Sequence, residues 1–366
     1  MNAVKDSTQP EAGRLLRITE LVGRLSAAGA KPCHIRSILR AWSNAAPLEA
    51  LTRQTRGALP RQVCALLPSL TAQLDQLATL QSEYPAADGS ARLLVRLADG
   101  QLVESVLLPR AGLCVSTQLG CAVGCLFCMT GKSGLLRQLG SAEIVAQVAL
   151  ARRFRPVRRV VFMGMGEPAH NLDNVLEAID LLGNEGGFGH KQLVFSTVGD
   201  PRVFERLPQQ RVKPALAISL HTTRHELRRR LLPRAPDIAP ADLVALAEQY
   251  ARAVGHPIQF QWTLLAGIND TTEEMEAVIH LLRGKYAMLN VIPYNSGEGD
   301  GWQRPDGERL VQLVRQLKAG GVLTRVRNSA GQEVDGGCGQ LRARAEAASR
   351  TQRLTVGSGR STVTLV

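Results

Sequence analysis

No stretch of this chain holds eighteen consecutive apolar residues, so the sequence offers no helix long enough to span a bilayer. The opening residues, MNAVKDSTQPEAGRLL, lack the apolar core of a secretory signal, which leads us to expect a cytoplasmic protein with no membrane partner. Cysteine is scarce, with seven in 366 residues. Without a secretory signal, that number argues for reduced thiols rather than a disulfide framework. Negative charge is also short: 32 Asp and Glu face 44 Lys and Arg, leaving a formal net charge of +12. Such an excess points to a polyanionic partner, most simply nucleic acid. No internal repeat or low-complexity tract interrupts the chain. What remains, 45% hydrophobic and 21% charged residues, is the make-up of an ordinary globular protein, long enough for one large domain and one small one.

Three of the seven cysteines crowd into CVSTQLGCAVGCLFCMTG (114–131), at Cys121, Cys125 and Cys128. This C-x₃-C-x₂-C spacing wraps one short loop around one centre. Soft thiolates select zinc or iron–sulfur clusters, and a [4Fe–4S] cluster is normally held by four of them. Three local thiolates therefore leave one iron open to chelate S-adenosylmethionine and to deliver an electron to its sulfonium. Phe127, just before the third cysteine, completes the radical-SAM signature C-x₃-C-x-Φ-C. Structural zinc, with Cys114 as a fourth ligand, is the competing reading. It prefers closed four-ligand sites, and the chain has no second C-x₂-C pair.

Around this loop the hydrophobic pattern changes period. Residues 1–86 read as a helical module, with apolar positions three and four apart from Leu15 to Leu25, Ile35 to Trp42 and Leu66 to Leu80. Between Arg24 and Arg61 it carries seven Lys or Arg against one acidic residue, Glu49, which suits either phosphate or solvent. Residues 83–90 read as a linker. Residues 91–108 alternate as two strands around Asp99-Gly100, a hairpin dipeptide.

After the cysteines, helices and strands alternate. Ser141 is expected to cap a helix to Arg153, and Val157–Met163 to form a buried strand. Further strands are expected at 192–196, 215–220, 258–265, 288–293 and 322–326. The fold class is thus α/β: a partial (β/α)₆ barrel after a small helical N-terminal domain and a β-hairpin extension, with function at the strand C-termini. The domains are 1–86, a catalytic domain at 87–345, and a basic polar tail at 346–366.

Several strands end in polar residues. VVFMGMGEP places Gly164, Gly166 and Glu167 after one strand, where glycines let backbone approach a ligand. Pro168 rules out a dinucleotide fingerprint. Ser196-Thr197, Ser219-Leu220-His221 and Pro293-Tyr294-Asn295 end others. Together they converge on one mouth, which favours a bound small molecule. Cys338 sits between glycines in DGGCGQL, an accessible position, and Cys114 is the other unassigned thiol near the cluster loop. Cys33 and Cys64 carry no assigned role.

In family order, VESVLLP, LCVSTQLGCAVGCLFCMTG, VFMGMGEP, FSTVG, AISLH, GIND, NVIPYN and CGQL resemble the RlmN/Cfr family of radical-SAM RNA adenine methyltransferases, over about residues 90–345. The resemblance implies one [4Fe–4S] cluster on Cys121, Cys125 and Cys128. It implies S-adenosylmethionine contacts from Gly166, Glu167, Ser196, Ser219, Leu220, His221 and Asn295. It also implies a methyl-carrying Cys338, a resolving Cys114 and a proton acceptor at Glu104. Carbon 2 of adenine is electrophilic and cannot attack a sulfonium methyl, so two S-adenosylmethionines are needed per turnover. One methylates Cys338; the other generates the radical that activates that S-methyl. Cys114 then releases the product, leaving a disulfide.

By the same resemblance the substrate is 23S rRNA or tRNA, the electron donor a protein such as flavodoxin, and the enzyme a monomer. Two departures stand out: Gln261-Trp262 where members often carry Glu-Tyr, and a helical module only loosely like the family's RNA-binding domain. Methylation at carbon 8, and a zinc-stabilised RNA-binding protein without catalysis, are the alternative readings.

Overall fold

The computed structural model describes residues 17–53, 58–295 and 301–343; the expected tail at 346–366 lies outside the described residues. Three helices come first: α1 (Ile18–Ala27), α2 (Pro32–Ser43) and α3 (Arg61–Gln76). Leu21, Leu25, Ile38, Leu67 and Leu70 are fully buried along their inner faces, as the three-to-four spacing requires. The helical pattern read through Leu80 stops at Gln76. Ala78–Pro85 is instead strand β1, whose residues alternate between half-buried and exposed. A period-two pattern overlaps the helical one there, and pairing with the next strand decides the outcome. The segment expected as a linker is therefore a strand end and a hairpin turn.

Strands β2 (Ala91–Leu97) and β3 (Leu102–Leu108) pair antiparallel around Asp99-Gly100, as expected. β4 (Gly112–Cys114) turns back along β3. β5 (Gln118–Gly120), α4 (Met129–Lys132) and β6 (Leu135–Gln138) then frame the cysteine loop. Helix α5 (Ser141–Arg152) is buried on every side from Ser141 to Ala151, between the first helices and the sheet. Gly140, not Ser141, caps it: Glu143 accepts the Gly140 N–H at 2.8 Å. The Ser141 hydroxyl accepts the Ile18 N–H at 2.9 Å and so ties α1 down.

From there helix and strand alternate through β7 (Arg159–Phe162), α6 (Leu172–Asn184), β8 (Leu193–Thr197), α7 (Pro201–Arg206), β9 (Ala215–Ser219), α8 (His225–Leu231) and α9 (Pro240–Val254). β10 (Ile258–Leu264), α10 (Thr272–Leu282), β11 (Ala287–Pro293), α11 (Gly307–Ala319) and β12 (Thr324–Val326) complete the series. β4 and β7 to β12 are parallel in order, within one ten-stranded sheet whose edges, β1 and β12, stay apart. This is the partial barrel that the alternation implies.

Phe162, Phe195 and Phe260 fill its core with no exposed surface, each burial worth about 1.5–3 kcal/mol. The same continuous core takes in the buried faces of α1 to α3. Parallel strands all end at the same rim, so whatever follows each strand is delivered to one place.

Candidate active site

Two cavities meet at that rim. The smaller, about 150 Å³, is lined by Cys121, Cys125 and Cys128 on one side and by Gly166, Glu167, Ser196, Ser219 and His221 on the other. The larger, about 520 Å³, runs down the inner face of β4 and β7, past Cys114 and Met163, to Arg159 and Arg110. Cys338 lines both.

The cysteine loop is held from below by α8. Leu227 and Leu231 of that helix pack with Cys121, Val123, Cys125 and Phe127, and the Leu126 N–H donates to the Leu231 carbonyl at 3.1 Å. Burial pushes the Cys121 thiol up to about 12 and raises those of Cys125 and Cys128 as well; each of the three feels the charge of a neighbouring cysteine. Crowded, desolvated thiols resist ionisation until a cation joins them. Arg228, also on α8, is buried and donates to the Val198 and Ser219 carbonyls, while its Nε has no partner. Burial lowers it to about 10, and Cys125 and Glu167 are the negative groups that oppose the shift. Sequence reasoning missed this residue, which lies inside a run of three arginines on α8.

Across the cavity, the Glu167 carboxylate accepts the Ala169 N–H at 3.1 Å and the Val198 N–H at 3.0 Å. Burial nonetheless raises it to about 7. His221 stands at a left-handed φ of 62° and meets Phe127 edge-on, ring centroids 4.9 Å apart. Its Nδ1 accepts the Thr263 N–H at 2.9 Å, which fixes a neutral ring with the proton on Nε2. Burial drives it down to about 3.

Gly164 and Gly166, expected to admit a ligand, both line the smaller cavity. Their missing side chains also admit the neighbouring loop, since a Cβ would come within 2.7 Å of the Val115 carbonyl oxygen at Gly164 and within 2.5 Å of the Gln118 side chain at Gly166. Leu220 is fully buried and lines neither cavity. Gln261 and Thr263, not selected from sequence, do line the smaller one.

Cys338 is exposed at the end of a loop pinned to the cysteine loop. Met129 N–H donates to the Gly339 carbonyl at 2.7 Å, and the Thr130 hydroxyl to the Leu341 carbonyl at 2.6 Å. Asn295 donates to the Cys338 carbonyl at 3.0 Å, leaving its buried Oδ1 without a partner. Cys114 is buried, and its thiol is pushed up to about 12 by burial, with the Cys338 thiolate adding to the effect. Both are free thiols, so the disulfide implied by the resemblance is not formed here.

Glu104 lines neither cavity. It lies behind the wall, where its carboxylate accepts from Arg92 at 2.6 Å and from the Arg342 N–H at 2.8 Å.

The donor set fits a cluster with S-adenosylmethionine. Three thiols share one cavity, a buried cation beside Cys125 offsets thiolate charge, and Glu167 in the same wall offers an acceptor to an ammonium. Asn295 lines neither cavity, though its buried Oδ1 has no partner. Among the described residues no three His, Cys, Asp or Glu converge as one bound metal ion requires. Sulfurs sharing one tetrahedral zinc lie only about 3.8 Å apart, whereas a cubane spreads its thiolates over separate irons.

A partial parallel barrel with three loop cysteines at its C-terminal rim defines a radical-SAM protein, and residues 115–282 match the model of the Radical SAM superfamily. The chain is 71% identical over 333 residues to a probable RNA methyltransferase of Stutzerimonas stutzeri, covering 90% of this chain and 97% of that one. A probable RNA methyltransferase of Pseudomonas aeruginosa is 65% identical over 341 residues, 93% of this chain and 99% of its own. The crystal structure of a radical SAM methyltransferase from Sphaerobacter thermophilus superposes with a TM-score of 0.79 at 34% identity, covering 92% of this chain and all of that one. The chain belongs to the RlmN/Cfr family of radical-SAM RNA methyltransferases.

Proposed function

We propose that this protein methylates carbon 2 of an adenine in RNA, 23S rRNA or tRNA, with Cys338 carrying the one-carbon unit. One observation carries the reading: Cys338 lies in the wall common to both cavities, with Cys114 lining the larger one. A [4Fe–4S] cluster held by Cys121, Cys125 and Cys128, together with S-adenosylmethionine, supplies one-electron cleavage and the methyl group. Glu167, Ser196, Ser219, His221 and Asn295, with the backbone of Gly166 and Leu220, are the residues we assign to hold S-adenosylmethionine.

Neutral His221 brings a hydrogen-bond donor at Nε2 and no second positive charge beside a sulfonium. The exposed Cys338 thiol accepts a methyl group on the smaller cavity's side and presents it to a base in the larger one. Glu104 is the assigned acceptor for the ring proton, and it must exchange a hydrogen bond from Arg92 or Arg342 to take it. Cys114 then attacks Cys338 Sγ. The carbon–sulfur bond breaks with its electron pair left on the product carbon, which takes up a proton. The one electron left over from radical addition would return to the cluster. The product leaves, and a Cys114–Cys338 disulfide remains for reduction.

The test is isotopic. Trideuteromethyl S-adenosylmethionine should give methyladenine with two deuteriums, because a hydrogen is lost while the carbon sits on Cys338. Three retained deuteriums mean direct transfer and remove Cys338 from the mechanism. Mass mapping of the modified base separates carbon 2 from carbon 8.

A further inference from the structure

The larger cavity has a charged end. Arg110, Arg159 and Arg327 line it, and Arg325 stands two residues before Arg327 on β12. They come from three separate segments: the β3–β4 turn, the start of β7, and β12 with the residue after it. None of the four guanidinium groups has a hydrogen-bond or ion-pair partner among the described residues.

Other arginines of the 152–159 and 224–234 runs, by contrast, largely have partners within the protein. Arg152 donates to the Ser43, Val157 and Gly186 carbonyls, and Arg155 to those of Gly89 and Leu108. Arg153 pairs with Asp75, Arg224 with Glu274, and Arg229 with Glu226. Asp88, the carboxylate in the larger cavity's lining, is already bound to Ser90 and the Gly331 N–H.

Two costs mark the four free arginines. They repel one another: the charges of Arg327 and Arg325, added to burial, lower Arg159. Arg110 also holds a left-handed φ of 58°, followed by Ala111 at 59°, in a turn where glycine or asparagine would sit without strain. A strained residue with an unpaired side chain at a cavity edge is a mark of function.

Building on the RNA reading above, we propose that Arg110, Arg159, Arg325 and Arg327 form a phosphodiester clamp, gripping the RNA backbone beside the nucleotide whose base reaches Cys338. The distances suit it. Arg159 pairs with Gly112, two residues along β4 from Cys114 and so about 7 Å away along the strand. Arginine's planar fork matches phosphate oxygens, and several guanidiniums with no internal partner lose repulsion as a phosphate arrives.

The test is salt-dependent binding of a labelled RNA hairpin with an unpaired adenine in its loop, measured on the cluster-loaded full chain. Arg159→Gln/Arg327→Gln should lower the slope of log affinity against log salt by about 1.4, at roughly 0.7 per lost contact to single-stranded RNA. Arg252→Gln, which removes an arginine paired with Glu248 on α9, should leave the slope unchanged. Arg110→Gly should weaken binding while its melting temperature holds or rises, which a purely structural arginine would not do. The clamp is overturned if the folded, cluster-loaded double variant keeps the wild-type slope, or if Arg252→Gln lowers it equally. If the wild type itself shows no salt-dependent RNA binding, the RNA reading falls, and the clamp with it.

Discussion

The two cavities share Cys338 but are built in opposite ways. The smaller is made largely of strand ends: most polar residues in its wall, from Glu167 to Thr263, lie in or after the C-terminal halves of β7 to β10, and Cys121, Cys125 and Cys128 come from one loop. The larger joins residues from Asp88 to Leu341, brought together by the hairpin strands and by a C-terminal loop that returns to them. The first depends on local segments each doing their part at a common rim. The second depends on a few long-range ties, so damage to it should spare the first. Five changes test that division.

Cys125→Ala should have the largest effect. Anaerobically reconstituted wild type should hold about four iron and four sulfide per chain. The variant should hold little of either, with no methyl on Cys338 and no turnover. Stoichiometric zinc in the wild type under the same treatment would replace the radical reading with the structural-zinc one.

Cys114→Ala strikes the larger cavity alone. The cluster should load and Cys338 should still be methylated and attack RNA, but nothing is left to cleave the carbon–sulfur bond. A nuclease-sensitive, slow-migrating band should appear on denaturing gels, and be absent from Cys114→Ala/Cys338→Ala. A single variant that turns over normally, or is unfolded and metal-free, removes Cys114 from its role.

The ties of the larger cavity centre on Arg92 and Glu104, both almost fully buried. Arg92 on β2 donates to the Val334 carbonyl, and Glu104 on β3 accepts the Arg342 N–H, so the pair holds both ends of the segment that carries Cys338. Removing one member of such a pair typically costs about 3–5 kcal/mol. Arg92→Met should therefore lower the melting temperature by several degrees while iron loading persists. Glu104→Gln divides the two duties of this carboxylate. A drop in stability with methylation of Cys338 slowed points to holding the loop; full stability with turnover lost points to proton transfer.

The same division explains what could be read in advance. Strand periodicity projects a polar strand end to the barrel rim without knowledge of any neighbour, so Glu167, Ser196, Ser219 and His221 were legible as one mouth. The three cysteines were legible from spacing alone. That Arg159 and Arg110 meet was not, because it depends on β4 pairing with both β3 and β7. Arg228 was hidden by its run of arginines; only the packing of α8 under the cysteine loop turns it inward. Ala78–Pro85 was misread because a helical period runs into its first residues, and the pairing that makes it a strand involves residues further along.

The smallest predicted effect concerns pH, and it too separates the cavities, since arginines keep their charge where His221 and Glu167 do not. His221 is held neutral down to about 3 in the folded protein, against an ordinary 6.5. The unfolded chain binds that proton first, so folding stability is lost as pH falls from 6.5 toward 3, at about 1.4 kcal/mol per unit. By pH 5 the loss is about 2 kcal/mol. Glu167 acts with the opposite sign. Its carboxyl, raised from 4.5 to about 7, keeps its proton in the folded state where the unfolded chain has lost it. Stability is therefore gained as pH falls from 7 to 4.5. The two effects offset each other between 4.5 and 6.5, and below 4.5 the His221 loss stands alone. Thermal melts of the cluster-free protein should then show little net contribution from this pair down to pH 4.5, followed by a decline. His221→Gln removes one side of the balance, so relative to wild type it should gain about 2 kcal/mol between pH 7.5 and 5. Parallel curves for the two proteins across that range would mean that His221 titrates as an exposed imidazole, and that the smaller cavity is open to water at its neutral wall.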